Sequence, residues 1–385
     1  MKKCILIIGV RRQCYKAALK LGHKVVLWSD GELHEKRKKN LEGWLEELYD
    51  ESELSLSQSV INELKKYKIQ RVITTTEKTV TLGARVREHL KLKRLAVDVT
   101  ERFHNKLVMK DLATEFDIPI TKYKMINEGT TAQELKKYLE LPLVIKPVDS
   151  SGARDVKVAK TLTDVEAFME PGLLAEAFVK GSEVSVETFV QDGKPVFTNI
   201  TEYLHQWRIS VVPAQLEAKL QSQILEMNNK IIEKFGVDRG MTHAEFYLTE
   251  DGPVFGEIAI RPPGGYYMDL IKKVYSIDSW KLFVNLSCGD NPTDFSPVKN
   301  GCAAVYMIHP GPGKVKAIHG VKEIKDKLKG IFEFALRIEV GETILAHENT
   351  SNEVGHILFW SHNREQLDLD LKYIESTLLF EIESE

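Results

Sequence analysis

The sequence predicts a mixed α/β and α+β protein, with a parallel α/β unit at its N-terminus and an α+β piece at its C-terminus. Three observations predict it. Residues 1–100 alternate strand, helix, strand, helix, strand; the middle of the chain carries short apolar strands split by polar and glycine turns; and residues 300–385 mix strand-like with helical runs. At 385 residues and 43% hydrophobic content, the chain can bury more than one core, enough for two or three domains.

The first unit reads KCILIIG as a strand, CYKAALKLG as a helix, HKVVLWSD as a strand, then a charged helical stretch, then QRVITTT as a strand. The opening MKKCILIIGVRRQ sets two lysines before an apolar run, as a secretory signal does. Its apolar run is short and no small-residue cleavage site follows, so it reads as the first strand. The loop GVRRQC has a single glycine where a dinucleotide fingerprint needs three, which favours a structural loop over a cofactor site.

Helical spacing over residues 101–116 leads into DIPITKYKMI, a strand with proline at its entry. Thr131 and Glu134 form a capping-box pattern, and Thr163 to Glu166 read as the cap of another helix. Between them LPLVIKPV and ARDVKVAK flank a polar loop, DSSG; LLAEAFV and EVSVETFV follow as strands split by KGS. A helix is expected over 214–235, a hairpin over 240–261 and a helix over 267–286. In the last piece GCAAVYMI, FEFALRIEV and GHILFW read as strands, with helices near 321–329 and 364–377. The expected domains are 1–100, 101–182, 183–298 and 299–385.

The 53 basic and 56 acidic residues nearly cancel, to a net charge of -3, so the single-sign field of a nucleic-acid binder is absent. Small-molecule partners are expected. Four cysteines stand far apart with no CxxC, against a disulfide framework or a zinc knuckle and in favour of a reduced, cytoplasmic setting. No apolar run is long enough to span a membrane.

Chemistry concentrates in GMTHAEFYLTEDGPVFGEIAIRPPGG, residues 240–265. Alternation puts His243 and Glu245 on one face of their strand, and Glu257, Ala259 and Arg261 on one face of theirs. A three-residue loop at Glu250–Gly252 sets Glu245 opposite Glu257 and His243 opposite Ala259. A two-residue turn at Asp251 and Gly252 pairs Glu245 with Ile258 instead. Directly opposed carboxylates repel, and such a pair is stable around a cation such as Mg²⁺, with Arg261 reaching the same anion. The plain alternative is a solvated hairpin face.

Lys146, inside LVIKPV, is costly to bury unless an anion meets it, and Ser150, Ser151 and Gly152 offer backbone N–H groups that can fold over phosphates. The plain alternative is a lysine that snorkels to water. LLAEAFVKGSE places Glu176 and Glu183 around a Lys-Gly turn.

The ordered series NKLVMKDLATEFDIPIT, LVIKPVDSSGARDVKVA, LLAEAFVKGSEVSVETFV and HAEFYLTEDGPVFGEIAIRPPGG, behind a leading α/β unit, resembles the ATP-grasp ligases over most of the chain. The resemblance implies an ATP-grasp fold that binds ATP with Mg²⁺ or Mn²⁺. Lys106 and Lys146 would contact phosphates, the 150–154 loop would close over them, and the backbone of Glu176, Ala177, Phe178 and Val179 would read the adenine edge. Glu183 would hold the ribose, Glu245 and Glu257 the metal, and Arg261 would stabilise an acyl phosphate. The family pattern is Glu-x-Asn-x-Arg, and here Ala259 replaces the asparagine, as it does in some purine-pathway members; this puts the coordination of a second metal in question.

The pattern PGPGKVKAIHG, RIEVGETI, EVGHILFWSHN resembles the C-terminal domain of L-amino acid ligases and carnosine-synthase-like enzymes. It implies an ADP-forming ligase that joins an amino acid carboxylate to an amine or a second amino acid. His243, Gly264, Gly265 and Trp207 are then candidate substrate residues, with Tyr266 and Tyr267 as pocket walls or packing. Two other classes stay open: a purine-pathway or biotin-carboxylase-like enzyme that activates bicarbonate, and a nucleotide binder without turnover. Relatives are often dimers, which leaves a homodimer open; no sequence feature marks an interface.

Overall fold

The N-terminal alternation folds as a parallel sheet in the order Gly43–Leu45, Lys24–Trp28, Cys4–Ile8, Arg71–Thr74. Cys4–Ile8 is buried at every position, as a strand covered on both faces must be. The chain leaves it for Lys24–Trp28 on one side and returns to Arg71–Thr74 on the other, so a crevice opens at the carboxyl ends of Cys4–Ile8 and Arg71–Thr74. The computed structural model describes residues 2–46, 56–150, 152, 155–205, 208–292, 295–346 and 353–383.

Residues 101–116, expected as one helix, belong to two: Val97–His104 and Lys106–Glu115. Asn105 breaks them. Its backbone is extended and its side chain accepts from the N–H groups of Leu107 and Val108, capping the second helix. The small sheet follows, in the order Tyr123–Met125, Leu173–Ala177, Leu143–Pro147, Lys157–Ala159, packed around Leu135, Leu143, Ile145 and Val165. The Thr131–Glu134 capping box forms, whereas the next cap is Thr161 with Asp164 rather than Thr163 with Glu166. Asp164 wins because its carboxylate takes the N–H groups of both Lys160 and Thr161.

The large sheet has eight strands, in the order Gly252–Ala259, Gly240–Thr249, Ser182–Gln191, Lys194–His205, Ile209–Val212, Cys302–Ile308, Gly355–Ser361, Ile331–Leu336. Lys194–His205 and Ile209–Val212 fall where no strand was expected, and they join the two ends of the sheet. Ile209–Val212 pairs antiparallel with Cys302–Ile308, so Cys302–Ile308, Gly355–Ser361 and Ile331–Leu336 continue the large sheet, while Thr343–Ile344, Gly313–His319 and Leu379–Glu383 form a three-stranded sheet of their own. Cys302–Ile308 is apolar and buried at every position and needs neighbours on both edges and faces.

The expected helix 214–235 starts only at Ala218, and 267–286 is two helices, Tyr267–Tyr275 and Ser279–Cys288, separated by a left-handed Ser276 and the cap Asp278. Ala218–Phe235 covers one face of the large sheet through Ile224, Ile231, Ile232 and Phe235. Leu270, Ile271, Trp280 and Phe283 share a core with Ile5 and Ile7 of the parallel sheet and Phe189 and Met241 of the large one. This core fixes the crevice of the parallel sheet against the end of the hairpin.

Candidate active site

The hairpin has the register that opposes its carboxylates: Glu245 pairs with Glu257 and His243 with Ala259. The route differs from the expected three-residue loop. Thr249 pairs with Gly252, so the turn is Glu250–Asp251, and the register shifts between Glu245 and Phe246, leaving Gly256 as the extra residue of a bulge. A Cβ at Gly256 would stand 3.1 Å from the Glu245 carbonyl oxygen and 3.1 Å from the Tyr247 ring, so glycine lets the bulge form without crowding. Without it the two carboxylates would fall on opposite faces.

The next strand, Ser182–Gln191, sets Glu187 beside His243 and Ser185 beside Glu245. His243 lies between two acids, with Nδ1 3.0 Å from Glu187 Oε1 and Nε2 3.4 Å from Glu245 Oε1. Burial opposes its charge, but the two carboxylates outweigh burial and bring its pKa up to about 9. Glu187 is fully buried and accepts from Ser185 Oγ (2.6 Å), Thr201 Oγ1 (2.5 Å) and Asn199 Nδ2 (2.8 Å). Tyr203 Oη donates to Glu245 at 3.1 Å. Sequence reasoning passed over Glu187; its signal was an acid amid the apolar residues of EVSVETFV.

The lysines gather at the opposite end of the hairpin site. Lys106 stands in the first turn of its helix, bonds the Ser150 carbonyl and lies 3.8 Å from Glu257. Lys110, one turn on, is fully buried; it and Lys146 share Glu176 Oε1 at 3.3 and 2.9 Å. Lys146 therefore does not snorkel: its side chain is 12% exposed and its anion is Glu176. Burial opposes the charge on Glu176, but Lys146 and Lys110 hold its carboxyl below the usual range. Expected to serve through its backbone, Glu176 thus also uses its carboxylate to hold both lysines in place. Lys110 was missed, although its spacing from Lys106 puts both on one helix face.

Ala177 ends its strand, and Phe178 and Val179 carry the chain out of the small sheet toward the large one. Glu183 lies opposite Tyr247 near the start of Ser182–Gln191. Gly152 has φ +66°, a conformation that suits a tight loop, while Ser151 and Trp207 lie outside the described residues.

Arg261 extends from the hairpin into the crevice of the parallel sheet. Its Nε donates to Glu77 Oε2 at 2.7 Å, and its Nη1 to the Pro262 carbonyl at 3.1 Å. Glu77 also lies 3.3 Å from His104 Nδ1; burial would raise its carboxyl, but Arg261 and His104 hold it at about 2. Glu77 follows the strand Arg71–Thr74, so a unit from which no site residue was expected supplies one. Its signal was position, at the carboxyl end of a parallel strand, where such sheets place ligands.

Beyond Arg261, Gly265 has φ +59° and a Cβ there would stand 2.6 Å from the Tyr267 ring, whereas nothing lies within 4 Å of such an atom at Gly264. Gly264 can therefore approach a ligand closely. Tyr267 is packing beneath the site, bonded to Ser210 Oγ at 2.9 Å, and Tyr266 stacks on His356 with ring centroids 4.0 Å apart. The arrangement is a cationic end for a polyanion, drawn from the helix Lys106–Glu115 and the small sheet, beside two opposed carboxylates and an arginine at the edge hairpin of the large sheet.

Residues 111–269 match the ATP-grasp domain. An L-arginine-specific L-amino acid ligase from Bacillus subtilis is 23% identical over 359 residues, covering 87% of this chain and 86% of the relative. Among solved structures, an L-amino acid ligase from Bacillus licheniformis superposes with a TM-score of 0.80 at 21% identity, covering 100% of this chain and 99% of that one. An N5-carboxyaminoimidazole ribonucleotide synthetase from Thermotoga maritima superposes with a TM-score of 0.77 at 17% identity, over 99% of this chain and 100% of that one. Both superpositions extend over the parallel sheet and the C-terminal strands.

Proposed function

Because this chain has the ATP-grasp fold around an ATP-grasp domain, we propose that it is an ADP-forming ligase that joins an amino acid carboxylate to an amine or a second amino acid. The observation that carries the reading is the Glu245–Glu257 pair, flanked by Lys106 on one side and by Arg261 on the other.

A carboxylate is a poor acyl donor until one oxygen becomes a leaving group. Its oxygen attacks the γ-phosphorus of ATP, the bond to ADP breaks, and an acyl phosphate forms; an amine then attacks the acyl carbon and inorganic phosphate departs with the displaced oxygen. Lys106 and Lys146 bind the phosphates, with Glu176 and Lys110 fixing Lys146. The backbone of Glu176, Ala177, Phe178 and Val179 faces adenine, Glu183 the ribose, and the Ser150, Ser151 and Gly152 loop covers the phosphates. Arg261 offsets the charge of the acyl phosphate, and Glu77 sets its direction. His243, Gly264, Gly265 and Trp207 line the substrate side.

Two opposed carboxylates make an oxygen donor set that fits Mg²⁺ or Mn²⁺, so Glu245 and Glu257 would hold the metal. Its chemistry when bound is to neutralise phosphate charge. Ala259 offers no ligand atom. No described helix is long and apolar enough to cross a membrane, and all four cysteines are free and buried, which supports a cytoplasmic enzyme with small-molecule substrates. Light scattering tests whether it is a homodimer.

ADP release from Mg²⁺-ATP, run against single L-amino acids and their pairs with mass detection of products, tests the proposal. A condensed product that requires two amino acids supports it. Turnover with bicarbonate and an aminoimidazole nucleotide, and none with amino acids, would replace it with the second reading, which Ala259 favours.

A further inference from the structure

A cavity of about 40 Å³ lies between the edge strand Arg71–Thr74 of the parallel sheet and residues 238–241, where the chain enters the hairpin. Arg71, Arg87, Lys93, Arg94 and Arg239 line it against a single lining carboxylate, Asp238. Two of these cations are matched: Arg239 makes a bidentate pair with Asp192 at 2.7 Å, and Arg94 Nη1 stands 3.5 Å from Asp238. Arg71, Arg87 and the exposed Lys93 are not. Arg71 donates to the carbonyls of Cys288 (2.8 Å) and Gln70 (2.6 Å), and Arg87 to that of Val72 (3.0 Å), and among the described residues neither meets a carboxylate.

Arg87 is only 6% exposed, and a buried guanidinium held by carbonyl dipoles alone has its charge uncompensated. Burial lowers its pKa to about 10, with no acid to oppose the shift. Arg94 Nη1 is also buried and makes no hydrogen bond. The space equals that of about three waters, close to one tetrahedral oxyanion. Guanidinium forks match phosphate oxygens in pairs, and a dianion answers the two unmatched guanidinium groups, with the Lys93 ammonium at the rim.

We propose that this cavity is a second ligand site, which binds a phosphate dianion, free or as the terminal group of an ester, and clamps the parallel sheet to the hairpin. Its walls run straight into the active site. Thr74 leads to Glu77, which holds Arg261; Ile260 precedes Arg261; and Met241 is two residues from His243. An occupant therefore steadies the Glu77–Arg261 link without touching ATP or substrate.

The test is thermal unfolding and calorimetric titration of the nucleotide-free protein with inorganic phosphate, at constant ionic strength against chloride, with glycerol 3-phosphate as a second arm. Phosphate at tenfold its dissociation constant should raise Tm by about 1–2 °C. Binding should survive Lys146→Ala, which disables the nucleotide end, and weaken by about tenfold or more in Arg94→Gln, a partly exposed position that spares the core if Arg87 variants fail to fold. Binding of the ester as well as phosphate marks an open site, and binding of phosphate alone a closed one; both support the proposal. No binding by the unaltered protein, or binding lost in Lys146→Ala and kept in Arg94→Gln, would overturn it.

Discussion

Glu77 takes the guanidinium of Arg261 and the ring of His104 at once. Burial works against its charge, yet the two partners hold its carboxyl at about 2, below its unfolded value. A carboxyl depressed in this way stabilises the fold fully above pH ~4.5, and that stability disappears as pH falls through ~2; the contribution is of order 3 kcal/mol. Glu77→Gln should therefore flatten the decline of the denaturation midpoint between those limits, and should lower kcat/KM by releasing Arg261. Urea midpoints at stepped pH check the first effect; an unchanged slope would remove Glu77 from the account. The lysines permit a sharper separation. Lys146→Ala leaves Glu176 paired with Lys110, so the protein should fold and lose roughly tenfold or more in ATP affinity. Glu176→Gln leaves two buried ammonium groups without their shared anion and should cost roughly 3–5 kcal/mol of stability. Lys146, Glu245, Glu257 and Arg261 were legible because each is a charge set in an apolar or alternating run, and Lys106 only through the ordered series of segments that resembles the ATP-grasp ligases. Glu77, Lys110 and Glu187 were not, because what they pair with depends on which strands and helices become neighbours, and local spacing does not carry that.

At the scale of the element, the hairpin depends on one residue that the alternation does not encode. The turn sits one residue earlier than the three-residue loop expected, and the bulge at Gly256 recovers the register that opposes Glu245 to Glu257. Gly256→Val should cost about 1–3 kcal/mol through its clash with the Glu245 carbonyl. Metal-dependent ATP binding should fall further than stability does, because the carboxylates lose alignment; nucleotide titrations with and without Mn²⁺ measure the difference. Ala259→Asn adds an oxygen where the family pattern has one and should lower the Mn²⁺ concentration for half-maximal nucleotide binding. An unchanged metal dependence would mean that position 259 is no ligand here. The helix break at Asn105 has the same logic. Its side-chain cap starts the helix that carries Lys106 and Lys110, and Asn105→Ala should cost about 1 kcal/mol while displacing both. Helical spacing read through residue 105 because a cap interrupts the chain without interrupting the apolar pattern.

For the whole molecule, the candidate site is an assembly of three parts. The small sheet and its helices bring the lysines, the large sheet brings the carboxylates and Arg261, and the parallel sheet brings Glu77. The α/β alternation and the hairpin pattern gave away the first sheet and one edge of the large one. The continuity of the large sheet into Cys302–Ile308, Gly355–Ser361 and Ile331–Leu336 was hidden because Lys194–His205 and Ile209–Val212 carry polar residues such as Asn199, Thr201 and Ser210, which face buried hydrogen-bond partners rather than an apolar core. A strand that lines an active site loses the hydrophobic alternation by which strands are recognised. In the proposed reaction the carboxylate substrate is activated through an acyl phosphate. This step is tested most directly by supplying the acid substrate with ¹⁸O in both carboxylate oxygens and following turnover by mass spectrometry of the released phosphate. Activation through an acyl phosphate puts one ¹⁸O in each phosphate and leaves one in the condensed product. Phosphate free of label, with turnover intact, would contradict it.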